Sequence, residues 1–295
     1  MLKINDFIEN LRTTGGKAKN TLIAYERDVR EFEDFLSKRG GRSLNECTES
    51  DAVAFVLALN KEKKSKATIN RKISSIRMFY EYLIEKTEID TNPFHKIKSA
   101  RNDRRDIDYL DIETIEKLLS LPDDTNKGIR DRALMEFMYG TGARVTEVVR
   151  LKVSDINLKM SFVTLRDAYD EKRIVPLGSY AKAAMIRYIN EAYDSLKGSE
   201  IANDDYFFIN LRGEPLTRQG IWKIFKDYGE MIGIADRMTP QIFRDSFATH
   251  ILQNGGDLKT LQELMGFEDL SVGIAYLAMV NVRVKEVFNK THPRA

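Results

Sequence analysis

Residues 139–148 read Tyr139-Gly-Thr-Gly-Ala-Arg-Val-Thr-Glu-Val148, and a second block reads Thr239-Pro-Gln-Ile-Phe-Arg-Asp-Ser-Phe-Ala-Thr-His250. A third, Leu264-Met-Gly-Phe-Glu-Asp-Leu-Ser-Val-Gly-Ile-Ala-Tyr276, follows soon after. Around these blocks the pattern is mostly helical. Apolar periodicity predicts helices over about 111–121, 128–140, 179–196, 217–233, 240–254, 257–265 and 271–289. Residues 161–177 change character. Ser-Phe-Val-Thr-Leu alternates as a strand, Lys-Arg-Ile-Val-Pro-Leu reads as another, and the polar run Arg166–Glu171 joins them as a β-hairpin. That run holds no Asn-Gly or Asp-Gly pair, so the turn type stays open.

Upstream, Thr21–Leu36 carries apolar residues at 22, 25, 29, 32, 35 and 36, one stripe of a helix that Gly40-Gly41 ends. A second helix is expected over 49–59 and a third over 66–86, with apolar positions 69, 73, 76, 79, 80, 83 and 84. The opposite face of the third and its approach hold Lys61, Lys63, Lys64, Lys66, Arg71, Lys72 and Arg77. Such a cluster is either a solvated helix face or a set of phosphate contacts. Lys63, Lys64, Lys66, Arg71 and Lys72 are the candidate DNA-binding residues. Asn92-Pro93 and the polar run SARNDRRDID mark a linker. The expected division is 1–88, a linker over 89–108, and 109–295.

The composition excludes several classes. Of 295 residues, 42% are hydrophobic, enough for real cores. The single cysteine, Cys47, can build neither a disulfide framework nor a cysteine-based metal site. The histidines His95, His250 and His292 lack metal-ligand spacing, so no metal is expected. No apolar run is long enough to span a membrane, and the start MLKINDFIENLRTTGG lacks a signal-peptide core. A cytoplasmic location follows as the expectation. The net charge of +2 hides a division: residues 1–105 hold 22 basic and 16 acidic side chains, whereas 106–295 hold 25 and 29. A basic first third points to a polyanionic partner.

Taken in order, the three blocks resemble the tyrosine recombinase (phage-integrase) family, most of all its Xer-like branch. The TLxAYxRDxxxFxxFL and KATINRKISSIRMFYEYL helices, the Asn-Pro-Phe of the linker and the closing His292-Pro-Arg-Ala295 extend the resemblance over nearly the whole chain. It implies a mainly α protein. A four-helix-type, SAM-like core-binding domain would precede a mixed α/β, mostly helical catalytic domain with a small β-sheet. Family members cut and rejoin DNA when a tyrosine oxygen attacks phosphorus, giving a 3′-phosphotyrosyl enzyme and a free 5′-hydroxyl, with no cofactor and no metal. Tyr276 falls on the nucleophile, Arg144 on the first phosphate-clamping arginine and Arg244 on the second. Guanidinium groups suit that task because they bind phosphate oxygens in pairs and stabilise charge on the phosphorane.

Other positions depart from the family pattern. Ala168 stands where the hairpin usually has a lysine, 24 residues after Arg144. Gln241 replaces the usual histidine three residues before Arg244, and Phe267 the usual His or Trp nine residues before Tyr276. Asp245 follows Arg244 where histidine is common. The missing lysine is the family's general acid, and a loss of that kind typically costs roughly 10²–10⁴ in rate. Lys172, four residues on, is either a substitute acid or a phosphate contact. Gln241 keeps hydrogen-bonding capacity but is no base near neutral pH. His250 is read as a packing histidine with a structural hydrogen bond.

The resemblance implies double-stranded DNA with inverted-repeat half-sites as partner, held in a C-shaped clamp. It also implies a tetramer on DNA formed through the helix after Tyr276, either of this chain alone or with a paralogous recombinase. The altered positions leave a second reading open, a catalytically impaired DNA-binding or accessory protein on the same scaffold.

Overall fold

Polar side chains start most of the helices. Thr48 accepts the Asp51 N–H while the Asp51 carboxylate accepts the Thr48 N–H at 3.1 Å, a reciprocal cap. At the start of another helix the Ser65 hydroxyl accepts the Thr68 N–H at 3.2 Å. The computed structural model describes residues 2–14, 19–98, 107–167, 169–197 and 205–277. Ala168, the expected helix beyond residue 277 and part of the expected linker lie outside the described residues. The chain divides into two units, Met1–Arg105 and Asp106–Ala295.

The first unit is helical: α1 (Leu2–Thr14), α2 (Lys19–Gly40), α3 (Glu49–Lys61) and α4 (Lys66–Glu85). The expected stripes form its core. Leu22, Val29, Phe32 and Leu36 of α2 meet Ile69, Ile73, Ile76, Phe79, Tyr80 and Leu83 of α4, with Phe55 between them; Ile84 alone of the α4 stripe is exposed. Phe94 lies within the stretch read as linker, yet it is fully buried with its ring edge against Phe32. Its burial follows from its aromatic area. The first unit therefore extends past residue 88, and Arg77 bonds the carbonyls of Phe94 and Ile97 at its edge.

One of the five basic DNA-binding candidates, Lys72, is corrected here. Asp28 lies on the buried side of α2 with 0% exposure. A carboxylate there needs cations and donors, because an unpaired charge in a core costs far more than a packing contact gains. Arg71 pairs with it, the Lys72 ammonium reaches it at 3.3 Å and Glu31 at 2.5 Å, and the Ser75 hydroxyl donates to it at 2.9 Å. Lys72 is only 4% exposed. Lys72 is thus held inside the core and turned away from solvent, while Arg71 pairs with Asp28 from the edge and stays partly exposed. Lys63, Lys64 and Lys66 remain exposed at the α3–α4 turn.

The second unit runs α5 (Ile112–Ser120), α6 (Asn126–Thr141), α7 (Val145–Val148), β1 (Ile156–Asn157), β2 (Phe162–Arg166), β3 (Lys172–Pro176) and α8 (Ser179–Tyr188). A π-helical turn, Ile189–Tyr193, carries α8 into α9 (Asp194–Lys197). Then come α10 (Arg218–Met231), α11 (Pro240–Gln253), α12 (Leu258–Met265) and a helical stretch over 270–277. Helix α6 is buried on nearly every side, Arg130, Asp131 and Glu136 included, and packs against both α8 and α11. The sheet is antiparallel in the order β1-β2-β3; the short β1 was not expected. Its hairpin turn is built by Asp167, whose carboxylate accepts the N–H groups of Tyr169 at 2.8 Å and Glu171 at 2.9 Å.

The Asp28 cluster makes a direct prediction. Asp28→Ala leaves Lys72 buried without its anion and is expected to lower the stability of the first unit by about 3–5 kcal/mol. Lys64→Ala, at an exposed site, should stay within about 0.5 kcal/mol. Urea unfolding of the full chain measures both.

Candidate active site

The site begins at two glycines that end helices. Gly142 closes α6 with φ +59°, and Gly266 closes α12 with φ +61°, the left-handed conformation that glycine adopts without a Cβ penalty. A Cβ on Gly142 would sit 2.5 Å from Phe247 Cδ1, and one on Gly266 would sit 2.9 Å from Arg173 Cδ. These turns leave carbonyls that no helical N–H reaches. Arginines take them. Arg244 Nη1 donates to Gly142 O and its Nη2 to Met265 O at 2.6 Å. Arg144 Nη2 donates to Gly266 O at 2.7 Å, and Arg173 Nε to Leu264 O at 2.9 Å. The negative end of α12 thus meets three guanidinium groups.

Glu147 is the second anchor. Its buried carboxylate accepts the Arg144 backbone N–H at 2.6 Å, Arg144 Nη1 at 3.0 Å, and both Nη atoms of Arg173. Burial works against its charge. The hydrogen bond and charge of Arg173, with the contacts from Arg144, outweigh burial and hold the carboxyl below its ordinary value. Arg244, only 5% exposed, has its pKa lowered to about 10, first by burial and then by the neighbouring Arg144 charge, so it stays a cation at pH 7. Arg144 and Arg244 each spend two of their five N–H donors on these acceptors among the described residues, which leaves donors for an anion.

The helical stretch 270–277 brings in the tyrosine. Tyr276 packs among Phe247, Leu261, Met265 and Phe267, and is 7% exposed. Its hydroxyl donates to Asp245 Oδ1 at 2.7 Å. Burial, then this bond and the Asp245 charge, push the phenol well above its ordinary value. Asp245 lies on α11 one turn from Gln241, whose Nε2 donates to the same oxygen at 2.9 Å. Burial raises the Asp245 carboxyl too, against the pull of those two hydrogen bonds.

A cleft of about 800 Å³ collects Arg144, Arg244, Gln241, Phe267 and Tyr276 on its walls. Four of the sequence candidates therefore meet: Arg144, Arg244, Tyr276 and Gln241. Lys172 does not line the cleft. Sheet register gives the reason. Arg173 pairs with the inward-facing Leu165, so Lys172, one residue away and paired with Arg166, faces outward. Arg173, not singled out from the sequence, takes the inner position. The lone sign was alternation along Lys172–Pro176, which puts residues 173 and 175 on one face. His250 is buried with Nδ1 2.9 Å from the Tyr139 hydroxyl, on the far side of α11 from Gln241 and Asp245 in helical phase. Arg218 and the exposed Trp222 of α10, also missed, share the cleft with Asp167, Tyr169, Glu171, Glu268 and Asp269.

The sequence matches the phage integrase family over residues 108–281 and the phage integrase amino-terminal SAM-like domain over 4–87. The chain belongs to the phage integrase family. It is 39% identical to tyrosine recombinase XerD of Listeria monocytogenes serotype 4b (strain F2365), an alignment covering 99% of each protein. It is 38% identical to tyrosine recombinase XerD of Oceanobacillus iheyensis, covering 99% of this chain and 98% of that one. Among solved structures it is similar to XerH site-specific recombinase bound to palindromic difH substrate, with a TM-score of 0.77 and 22% identity over 90% of this chain and 78% of that one. The Tn1549 transposon integrase in complex with a circular intermediate DNA gives a TM-score of 0.75 at 21% identity, over 93% and 94%. These two likenesses show a shared fold.

Glu147→Gln tests the anchor. With its carboxyl depressed in the fold, Glu147 contributes stability above its ordinary 4.5, and that contribution is lost as pH falls through the lower folded value. The Gln variant should be less stable by about 3–5 kcal/mol at pH 7. Its stability should also change less than wild type between pH 5 and the acid limit. Thermal unfolding across that range reads both, and equal pH slopes would contradict the anchor role.

Proposed function

We propose that the protein is a site-specific DNA recombinase of the tyrosine recombinase type. It cuts and rejoins DNA strands through a 3′-phosphotyrosyl intermediate on Tyr276. The observation that carries this is the meeting of Tyr276 with Arg144 and Arg244 in one cleft. Two fixed guanidinium groups hold the nonbridging oxygens of one phosphate and stabilise the charge that builds on the phosphorane. Tyr276 Oη forms the new bond to phosphorus while the P–O5′ bond breaks. Rejoining by another strand's 5′-hydroxyl reverses the step, so the broken bond's energy stays in the covalent intermediate.

The reading extends to double-stranded DNA with inverted-repeat half-sites, in the cytoplasm, and to a tetramer assembled through the segment after Tyr276, alone or with a paralogous recombinase. A DNA-clamping amino-terminal domain, reaching past residue 88 to take in Phe94, and a catalytic domain over 109–295 belong to the same proposal. Lys63, Lys64, Lys66 and the partly exposed Arg71 supply the phosphate contacts of the amino-terminal unit. Four acidic residues share the cleft with its arginines, so the bulk attraction for DNA comes from residues 1–105 and falls with salt.

The departures at Ala168, Gln241 and Phe267 favour a second reading, an accessory DNA-binding protein with impaired catalysis. One experiment separates the two. Duplex sites are first selected with the protein from randomised inverted repeats. They are then presented as nicked suicide substrates, and the covalent protein–DNA band is followed. The recombinase reading expects a band that Tyr276→Phe abolishes; specific binding with no band supports the accessory reading. With no lysine at 168, departure of the 5′-oxygen should limit the rate. A bridging 5′-phosphorothiolate, whose leaving thiolate needs no proton, should then cleave faster, by up to roughly 10²–10⁴-fold.

A further inference from the structure

We propose that Asp245 takes the phenolic proton of Tyr276 during strand cleavage and returns it during rejoining. The inference rests on the recombinase reading above and names a residue for a task that Gln241 cannot perform. An amide has no basic site near neutral pH. Glu147 is bound to two arginines, and His250 is engaged with Tyr139. Among the described residues, Asp245 is the ionisable acceptor that touches the reacting oxygen, at 2.7 Å.

The surroundings suit the task. The Gln241 amide donates to the same Oδ1 at 2.9 Å and fixes the carboxylate's orientation. The charged and titratable groups that act on Asp245 are Arg244 on its own helix, Tyr276 on the 270–277 helix and Asp108 in the segment before α5. Arg244 favours the ionised carboxylate, whereas burial and Asp108 oppose it; Asp108 is itself paired with Arg237 at 2.6 Å. A carboxyl raised in this way is a better base than an exposed one, which narrows its gap to the phenol. A phosphodiester held by Arg144 and Arg244 adds a negative charge nearby and raises the carboxyl further. Arrival of DNA therefore strengthens the base at the moment the nucleophile is needed.

The step balances as follows. Tyr276 Oη bonds to phosphorus, its proton moves to Asp245 Oδ1, the P–O5′ bond breaks, and the departing oxygen takes a proton from water. On rejoining, the incoming 5′-hydroxyl attacks and releases its proton to water. The P–O bond to Tyr276 then breaks, and protonated Asp245 hands its proton back to Oη.

The test uses Asp245→Asn and Asp245→His in the full chain with the selected nicked duplex. The Asn variant keeps size and polarity and should form the covalent band roughly 10²–10⁴-fold more slowly. The His variant should cleave, with the midpoint of its pH–rate profile moved toward the imidazole value of about 6.5. A merely structural role would leave that midpoint in place. In the protein without DNA, ¹³Cζ-tyrosine NMR, with the signal assigned by Tyr276→Phe, should show Tyr276 sensing a carboxyl titration that vanishes in the Asn variant. Unaltered or faster cleavage by the Asn variant, an unmoved midpoint, or identical NMR titrations each overturn the acceptor role while the recombinase reading stands. Absence of any adduct with wild-type protein overturns both.

Discussion

Three guanidinium groups share the carbonyl end of one short helix and one buried carboxylate, and the catalytic unit is arranged around that fact. Leu264, Met265 and Gly266 accept from Arg173, Arg244 and Arg144 in turn, and Glu147 binds two of the three. Like charges this close repel, and the Arg144 charge adds to burial, the larger cause, in depressing the Arg244 pKa. The negative helix end and Glu147 offset that repulsion. Each arginine comes from a different element: the turn after α6, the sheet edge β3, and α11. Fixing them to α12 fixes those elements to one another, and so sets where an anion can be held.

The same logic acts separately in the amino-terminal unit. There Asp28 gathers Arg71, Lys72 and Ser75 inside the core. Part of the positive surplus of residues 1–105 is therefore structural. Lys63, Lys64 and Lys66 at the α3–α4 turn remain exposed. The second unit instead gathers a few placed arginines in a cleft that also carries acids.

Most of the helices were legible because apolar period and capping residues agree. The hairpin was legible from alternation, and the positions of Arg144, Arg244 and Tyr276 from the motifs. Other features were not. Adjacent basic residues on a helix, such as Arg71 and Lys72, look like surface until an acid such as Asp28 is noticed beside Val29 on the apolar stripe. Phe94 sits in a stretch whose Asn-Pro and charges read as linker, and its burial depends on Phe32 from a distant helix. Lys172 looked like a candidate acid by proximity in sequence, but strand register turns it outward and puts Arg173 inward. Asp245 was visible only as a departure. Its contact with Tyr276 joins residues 31 apart on different helices, which no local pattern encodes.

The central claim is that the clustered arginines serve Tyr276 and no other tyrosine. Tyr169, exposed on the hairpin turn, shares the same cleft and is the natural rival. The most direct measurement is tandem mass spectrometry of the peptides recovered after trapping with the nicked duplex and nuclease digestion. The account predicts a 3′-nucleotidyl phosphate on the peptide that contains Tyr276, with Tyr169 unmodified. A nucleotide on Tyr169, or on neither residue despite specific binding, would contradict it.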